Sequence, residues 1–205
     1  MSGGLYYFAD FRNCASILKK GILSKNLVQK SRIRYWDFSD PEVQQRRHFK
    51  QVLIGSEIQG INLHEFVPLY WVTKTPTLFA RKNIQDRIFF IEIDYEIIES
   101  EEKCVIFSDG NSASNQSSFF DNFDEASMYI DWDVINSQYW NNFADGTRKR
   151  NAEVLIYNRI EPTWFNKIIV NNDEMFSYIC KIFGKKPFDG LRKDLRILKS
   201  PKYFF

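Results

Sequence analysis

Histidine is almost missing from this chain: His48 and His64 are the only two in 205 residues. That scarcity leaves little material for a histidine-ligated metal or a Ser-His-Asp triad, so metal-free chemistry is expected. Cys14, Cys104 and Cys180 are odd in number, far apart and without a CxxC spacing. They argue against a disulfide framework and a zinc site, and they read as small buried hydrophobes. No window approaches the roughly eighteen apolar residues of a membrane span, and Met1 to Leu5 has no basic stretch leading into an apolar one. A cytoplasmic protein with no membrane partner is the expectation. A Gly-rich phosphate loop is also missing, which removes dinucleotide-binding Rossmann and P-loop readings. No repeat or composition break divides the chain, so one domain over 1–205 is expected. Net charge is only +2 with a pI near 8.3, so binding to nucleic acid has to come from a local patch.

Aromatic residues are abundant instead, at 17% of the chain with 19 Phe, 10 Tyr and 5 Trp. That exceeds what a small core requires, and some rings are expected to line a site, where they can stack on bases or on nicotinamide and adenine. Leu5 to Phe8 reads as a first strand. Cys14 to Lys20 reads as a short helix ended by Gly21, and Ile22 to Ser24 as extended chain. Residues 30–64 look charged and irregular around a helix capped by Asp40-Pro41 that carries Val43 to Arg47. Val67 to Val72 reads as a strand, Pro76 to Phe79 as a short helix, and Ile88 to Ile93 and Val105 to Phe107 as strands. Asp173 to Phe183 reads as a closing helix, and Leu195 to Leu198 as a last strand.

Residues 112–152 are rich in Ser, Asn, Asp and rings, with helical character only around Ile130 to Tyr139. A segment of that length without clear structure is expected to be a functional loop. It leads into Arg148-Lys149-Arg150-Asn151-Ala152-Glu153-Val154-Leu155-Ile156-Tyr157, where one carboxylate enters a buried-looking strand. An ionised carboxylate leaves water only when something pairs with it. A cationic substrate or a developing oxocarbenium ion would serve, and so would a plain ion pair with Arg148 or Arg150 on the rim.

In order along the chain, Leu5 to Phe8 through Ser16-Ile17-Leu18 and Gly21 to Ser24, then Asp40-Pro41 through Arg46-Arg47, then Phe66 to Tyr70 with Pro76 to Phe79, resemble the DarT family of nucleic-acid-modifying ADP-ribosyltransferase toxins. Phe107 to Asn111, Ile130 to Asp133, Trp140, Ala152 to Leu155 and Lys202 to Phe204 continue the match over nearly the whole chain. The resemblance implies an α+β ADP-ribosyltransferase fold in one domain, a split β-sheet core with flanking helices that clasps NAD+ as co-substrate. The activity it implies is transfer of ADP-ribose to a base of single-stranded nucleic acid with release of nicotinamide. Thymidine in single-stranded DNA is the first acceptor; single-stranded or messenger RNA, and guanine, are the alternatives, in a toxin-antitoxin or phage-defence setting. From a different class, a catalytically idle relative that only binds nucleic acid is a further alternative.

By the same resemblance, Glu153 is similar to the family's catalytic glutamate and one of Arg46 or Arg47 to its arginine, with Arg47 preferred. Tyr7, Phe8, Ala9, Ser16 and Ser24 fall on NAD-contacting positions, and 112–153 resembles the loop that presents the acceptor. Phe119, Phe120, Tyr139, Trp140, Arg148 and Arg150 offer stacking and cationic surface for the strand. A macrodomain-type antitoxin partner is implied by the resemblance alone. Tyr7 stands where the family commonly has histidine and Ala9 where it has threonine, which puts NAD placement and the usual base in question.

Overall fold

The structure is a computed structural model that describes residues 4–54, 58–185 and 190–205. Strand β1 (Leu5–Asp10) leads into helix α1 (Cys14–Lys20), which ends at Gly21. Gly21 has φ 83°, and a Cβ there would lie 2.3 Å from the Ile160 carbonyl oxygen, so only glycine fits. There follow β2 (Ile22–Leu23), α2 (Lys25–Lys30), α3 (Pro41–Phe49), the hairpin β3 (Gln51–Ile54) and β4 (Ile58–Asn62), β5 (Phe66–Tyr70), α4 (Pro76–Phe79), β6 (Ile88–Ile93) and β7 (Val105–Ser108). Then come β8 (Phe119–Phe120), α5 (Phe123–Tyr129), α6 (Trp132–Asn136), α7 (Gly146–Lys149), β9 (Glu153–Tyr157), β10 (Arg159–Ile160), β11 (Phe165–Val170), α8 (Asp173–Lys185) and β12 (Arg196–Lys199).

Eight strands form one sheet in the order β12-β11-β6-β1-β5-β9-β7-β8. Every pairing is antiparallel except β11 with β12. Strand β1 pairs with β6 over six residues and β5 with β9 over five, but β1 and β5 meet at a single pair, Tyr6↔Tyr70. The sheet therefore splits between β1 and β5, as expected, and a cavity opens along the split.

Strand β6 is buried on both faces. Phe89, Ile91 and Ile93 face the main core, whereas Ile88 and Phe90 face a second cluster with Leu78, Ile169 and Phe204. Helix α8 covers the main core with Met175, Phe176, Ile179, Ile182 and Phe183, a spacing that puts one apolar stripe on the sheet.

Three expectations are corrected. Residues 30–64 hold the β3–β4 hairpin, which the short charged segments around it concealed; Val52 anchors it in a cluster with Leu63, Phe66, Ile106 and Leu155. Residues 112–152 are an ordered subassembly of three helices and a short strand. Asn122 caps α5 by accepting from the Glu125 N–H at 3.0 Å, Asp131 caps α6 by accepting from the Val134 N–H at 3.2 Å, and Trp132 packs against Trp71 with centroids 5.2 Å apart. Asn122 and Asp131 are ordinary N-cap residues, so both helix starts were legible. Finally, Cys14 is buried, but Cys104 and Cys180 are exposed, because neither lies on a sheet-facing position.

Candidate active site

Helix α3 carries an arginine to the split. Asp40 caps it by accepting from the Glu42 N–H at 2.9 Å and the Val43 N–H at 3.1 Å, and Pro41 presets the first turn. Adjacent helical residues point about 100° apart, so Arg46 and Arg47 diverge. Arg47 is 7% exposed and turns inward, while Arg46 stands in solvent.

Strand β9 opens on Glu153. Its backbone N–H donates to Ser108 Oγ at 3.1 Å, and the Ser108 hydroxyl donates to the Gly110 carbonyl at 2.7 Å, so the turn after β7 fixes where β9 begins. The Glu153 side chain is buried, at 2% residue exposure. Its Oε2 accepts from the Ser112 hydroxyl at 2.6 Å and from Arg47 Nη1 at 3.1 Å, and Nη1 also donates to Ser112 Oγ at 2.7 Å. The buried carboxylate is thus paired, with Arg47 as the partner rather than Arg148 or Arg150. Both Arg47 bonds leave from Nη1, so among the described residues its Nε and Nη2 donors remain available to a ligand.

Arg47 and Glu153 lie on the wall of a cavity of about 450 Å³, within the range of ligand sites. Tyr7, Phe8, Ala9 and Ser16 also line it. Ser24, expected as a further contact, is buried outside the wall, and its oxygen caps α2 by accepting from the Leu27 N–H at 3.3 Å. Burial pushes the Tyr7 phenol up to about 12, with Asp37 and Tyr35 adding to it, so Tyr7 offers a protonated hydroxyl.

Several wall residues escaped the sequence reading. Tyr70 sits directly across from Glu153 in the β5–β9 register; burial first and the Glu153 charge second keep its phenol protonated. Phe8 is stacked between Tyr70, at 5.6 Å, and Phe38, at 6.0 Å. Lys25 and Arg81 add cations, Lys25 with its ammonium donating to Gln44 at 2.8 Å and Arg81 with its guanidinium donating to the Thr77 carbonyl at 2.8 Å. The stretch from Tyr35 to Asp40 straps the cavity. Asn13 brackets Trp36 with two 2.8 Å hydrogen bonds, and the Arg12 guanidinium lies 3.4 Å from the Trp36 ring centroid. Arg12 and Arg87 in turn hold Asp10, whose carboxyl is raised by burial and lowered further by those bonds, to below the usual range.

His64 lines the same cavity at 5% exposure, and its Nε2 is buried without a hydrogen-bond partner among the described residues. Burial, with the nearby Arg47 charge next, pulls its pKa down to about 4. It is neutral at pH 7. Among the described residues no group of three or more His, Cys, Asp and Glu is placed to hold a metal ion, and no helix is long and apolar enough to cross a membrane.

The residues expected to contact a nucleic-acid strand scatter. Tyr139 is 64% exposed and Phe119 is half-buried beside the site. Phe120 is buried, stacked on Tyr129 at 4.9 Å, and Trp140 is buried against Phe79 and Phe205. Arg148 is tied to Asp109 at 2.9 Å, to Ser117 Oγ at 3.1 Å and to Asp145. Arg150 is buried and donates to the carbonyls of Lys74, Val134, Ile135 and Ser137. Phe120, Trp140 and Arg150 are therefore corrected: Phe120 and Arg150 tie the 112–152 subassembly together and Trp140 packs it against Phe79 and Phe205.

The model of the family described as "ssDNA thymidine ADP-ribosyltransferase, DarT" matches residues 6–205. The chain is 24% identical over 204 residues to a DNA ADP-ribosyl transferase-DNA ADP-ribosyl glycohydrolase fusion protein of Thermosipho africanus (strain H17ap60334), covering 98% of this chain but 49% of that protein, so it spans about half the relative's length. It is 23% identical over 202 residues to a DNA ADP-ribosyl transferase of Thermus sp. (strain 2.9), covering 93% of this chain and 94% of the relative. The fold matches that of Thermus sp. 2.9 DarT in complex with ADP-ribosylated ssDNA, with a TM-score of 0.86 at 21% identity over 99% of this chain and 96% of the other. The same Thermus protein in complex with NAD+ gives a TM-score of 0.80 at 19% identity over 99% and 98%.

Proposed function

The chain belongs to the DarT family of ssDNA thymidine ADP-ribosyltransferases, and on that premise we propose that it moves ADP-ribose from NAD+ onto a base of single-stranded DNA, thymidine first, and releases nicotinamide. The observation that carries the reading is the buried Arg47–Ser112–Glu153 cluster on the wall of the split-sheet cavity. A carboxylate held there by two donors is fixed before any ligand arrives. Preorganised charge of that kind stabilises positive charge on the ribose only as nicotinamide departs, which is where it accelerates the reaction. The cations Arg47, Lys25 and Arg81 suit the pyrophosphate, Arg47 through a planar fork, and the stacked Phe38, Phe8 and Tyr70 rings give the cleft an apolar wall for the dinucleotide. Tyr7, with a protonated phenol where the family commonly has histidine, supplies a donor of longer reach to the same cleft.

A partner that removes ADP-ribose from DNA follows from the same reading. The Thermosipho relative joins a transferase to a DNA ADP-ribosyl glycohydrolase in one chain, so a glycohydrolase of the macrodomain type is the restraint proposed for this protein.

The test is mass spectrometry of one sequence offered as single-stranded DNA, single-stranded RNA and duplex DNA with NAD+, beside the Glu153→Gln variant. The expected result is an ADP-ribose adduct on single-stranded DNA at thymidine. The duplex is expected to be spared because base extrusion costs a few kcal/mol, and the variant to lose ~10²- to 10³-fold in rate. Adducts on RNA alone would replace the acceptor, and a variant as active as its parent would remove Glu153 from the chemistry.

A further inference from the structure

Lys50 is three residues beyond Arg47, at the C-cap of α3, and it belongs to no role assigned so far. It lies outside the cavity wall, within reach of the charge of Glu153, which Ser112 holds from the same side of the cluster as Arg47 Nη1. Its ammonium donates to the Ser114 carbonyl and lies 5.1 Å from the Phe119 ring centroid. The charges that reach it are Arg47 from the same helix, Glu153 from β9 and Asp109 from the turn after β7. An ammonium carries three donors, and Ser114 takes one.

The two partners Lys50 already has are a carbonyl oxygen and a flat ring. A nucleobase with a carbonyl beside its ring N–H offers the same pair. Resting on the proposed transferase reading, we propose that Lys50 is the acceptor-selecting residue of this site, its ammonium hydrogen-bonding the carbonyl next to the ring N–H of the incoming base beside Phe119. Thymine, uracil and guanine carry that arrangement; adenine and cytosine do not.

The chemistry gives the contact a consequence beyond affinity. In the transfer, a bond forms between the base ring nitrogen and ribose C1′, the C1′–nicotinamide bond breaks with its electron pair leaving on nicotinamide, and the ring N–H proton passes to water. Negative charge spreads onto the neighbouring carbonyl as that proton leaves. A fixed ammonium on the carbonyl stabilises that charge as it develops. Burial, opposed by Glu153, lowers the Lys50 pKa, which marks the ammonium as partly desolvated and its hydrogen bonds as correspondingly stronger.

The experiment compares the parent chain with Lys50→Gln and Lys50→Arg on single-stranded oligonucleotides containing one T, U, G, A or C, across pH 6.5 to about 9.5, with NAD+ affinity measured by calorimetry. Glutamine keeps a donor for Ser114 but carries no charge. The expected result is that Lys50→Gln loses ~10²-fold in transfer near neutral pH and regains most of it toward high pH, where water alone ionises the ring N–H. Lys50→Arg should stay within about tenfold of the parent, and NAD+ affinity should change less than about threefold in both variants, since neither change touches the cavity wall. A Lys50→Gln chain within about threefold of the parent, a loss equal at every pH, or a parent that prefers adenine or cytosine would each overturn the proposal. A parent that modifies no strand at all would instead overturn the transferase reading beneath it.

Discussion

Arg47 and Arg150 are both buried guanidiniums, and they have opposite uses. Arg150 gives its hydrogens to the carbonyls of Lys74, Val134, Ile135 and Ser137, so its charge is dispersed over neutral groups that the fold needs satisfied. Arg47 spends one nitrogen on Ser112 and Glu153 and faces a cavity with the rest. A buried cation saturated by backbone is a clamp, whereas one left under-coordinated beside a cavity is poised for a ligand. Proximity to Glu153 in the sequence favours Arg148 and Arg150, yet the fold brings in Arg47 from 106 residues away.

The sharpest way to break that contrast is Arg47→Lys beside Arg46→Lys. Lysine keeps the charge but loses the planar fork. A rate loss of about two orders of magnitude is expected at Arg47, as for other preorganised donors, and a change within about twofold at Arg46. Equal and mild effects in a kinetic assay would mean that neither guanidinium is positioned.

Arg150→Met should act on stability instead of chemistry. It strands several carbonyls, each costing about 1–3 kcal/mol when buried and unpaired, so urea unfolding is expected to show a loss of about 3 kcal/mol or more. The folded fraction should keep its NAD+ affinity, and a selective loss of affinity at full stability would make Arg150 a ligand residue after all.

The smallest effect belongs to His64, behind Arg47. Unfolded, it titrates near 6.5; in the folded chain it titrates at about 4, because burial and then Arg47 oppose its charge. Between those values the unfolded chain holds a proton that the folded chain lacks, so stability falls as pH drops from 6.5 toward 4 and is unaffected by this group above 6.5. The expected contribution is on the order of 1 to 2 kcal/mol by pH 5. His64→Gln should flatten that part of the stability curve in thermal melts at stepped pH. An unchanged slope would show that the imidazole is not held neutral by the fold.

Local chemistry announced some of this and concealed the rest. The Asp40-Pro41 cap, the Gly21 stop, the β6 run and the apolar stripe of α8 follow from propensity and periodicity, which act within a few residues. Asn122 offered the same kind of signal inside 112–152, but the polar composition around it masked it, whereas the helix capped by Asp131 falls within the stretch read as helical. Ser112, Tyr70, Lys25, Arg81 and His64 carry no local mark of a site: each is an ordinary residue in its own window, and its role depends on what lies across the split. Aromatic abundance was a true signal, since Tyr7, Phe8, Tyr35, Trp36, Phe38 and Tyr70 line the cavity. It could not tell them from Phe107, Phe123 and Trp132, which pack around Trp71 in the core.

By itself, the sequence determined that a carboxylate would enter a buried strand at Glu153 and therefore need a partner, because burial penalises an unpaired charge wherever it occurs. It also determined that α3 would start at Pro41 and turn two adjacent arginines to different sides. Which arginine faces inward, which serine completes the cluster and where the cavity opens were decided by tertiary structure. The single-pair junction between β1 and β5 parts the sheet there, and only a contact spanning 106 residues sets Arg47 against Glu153.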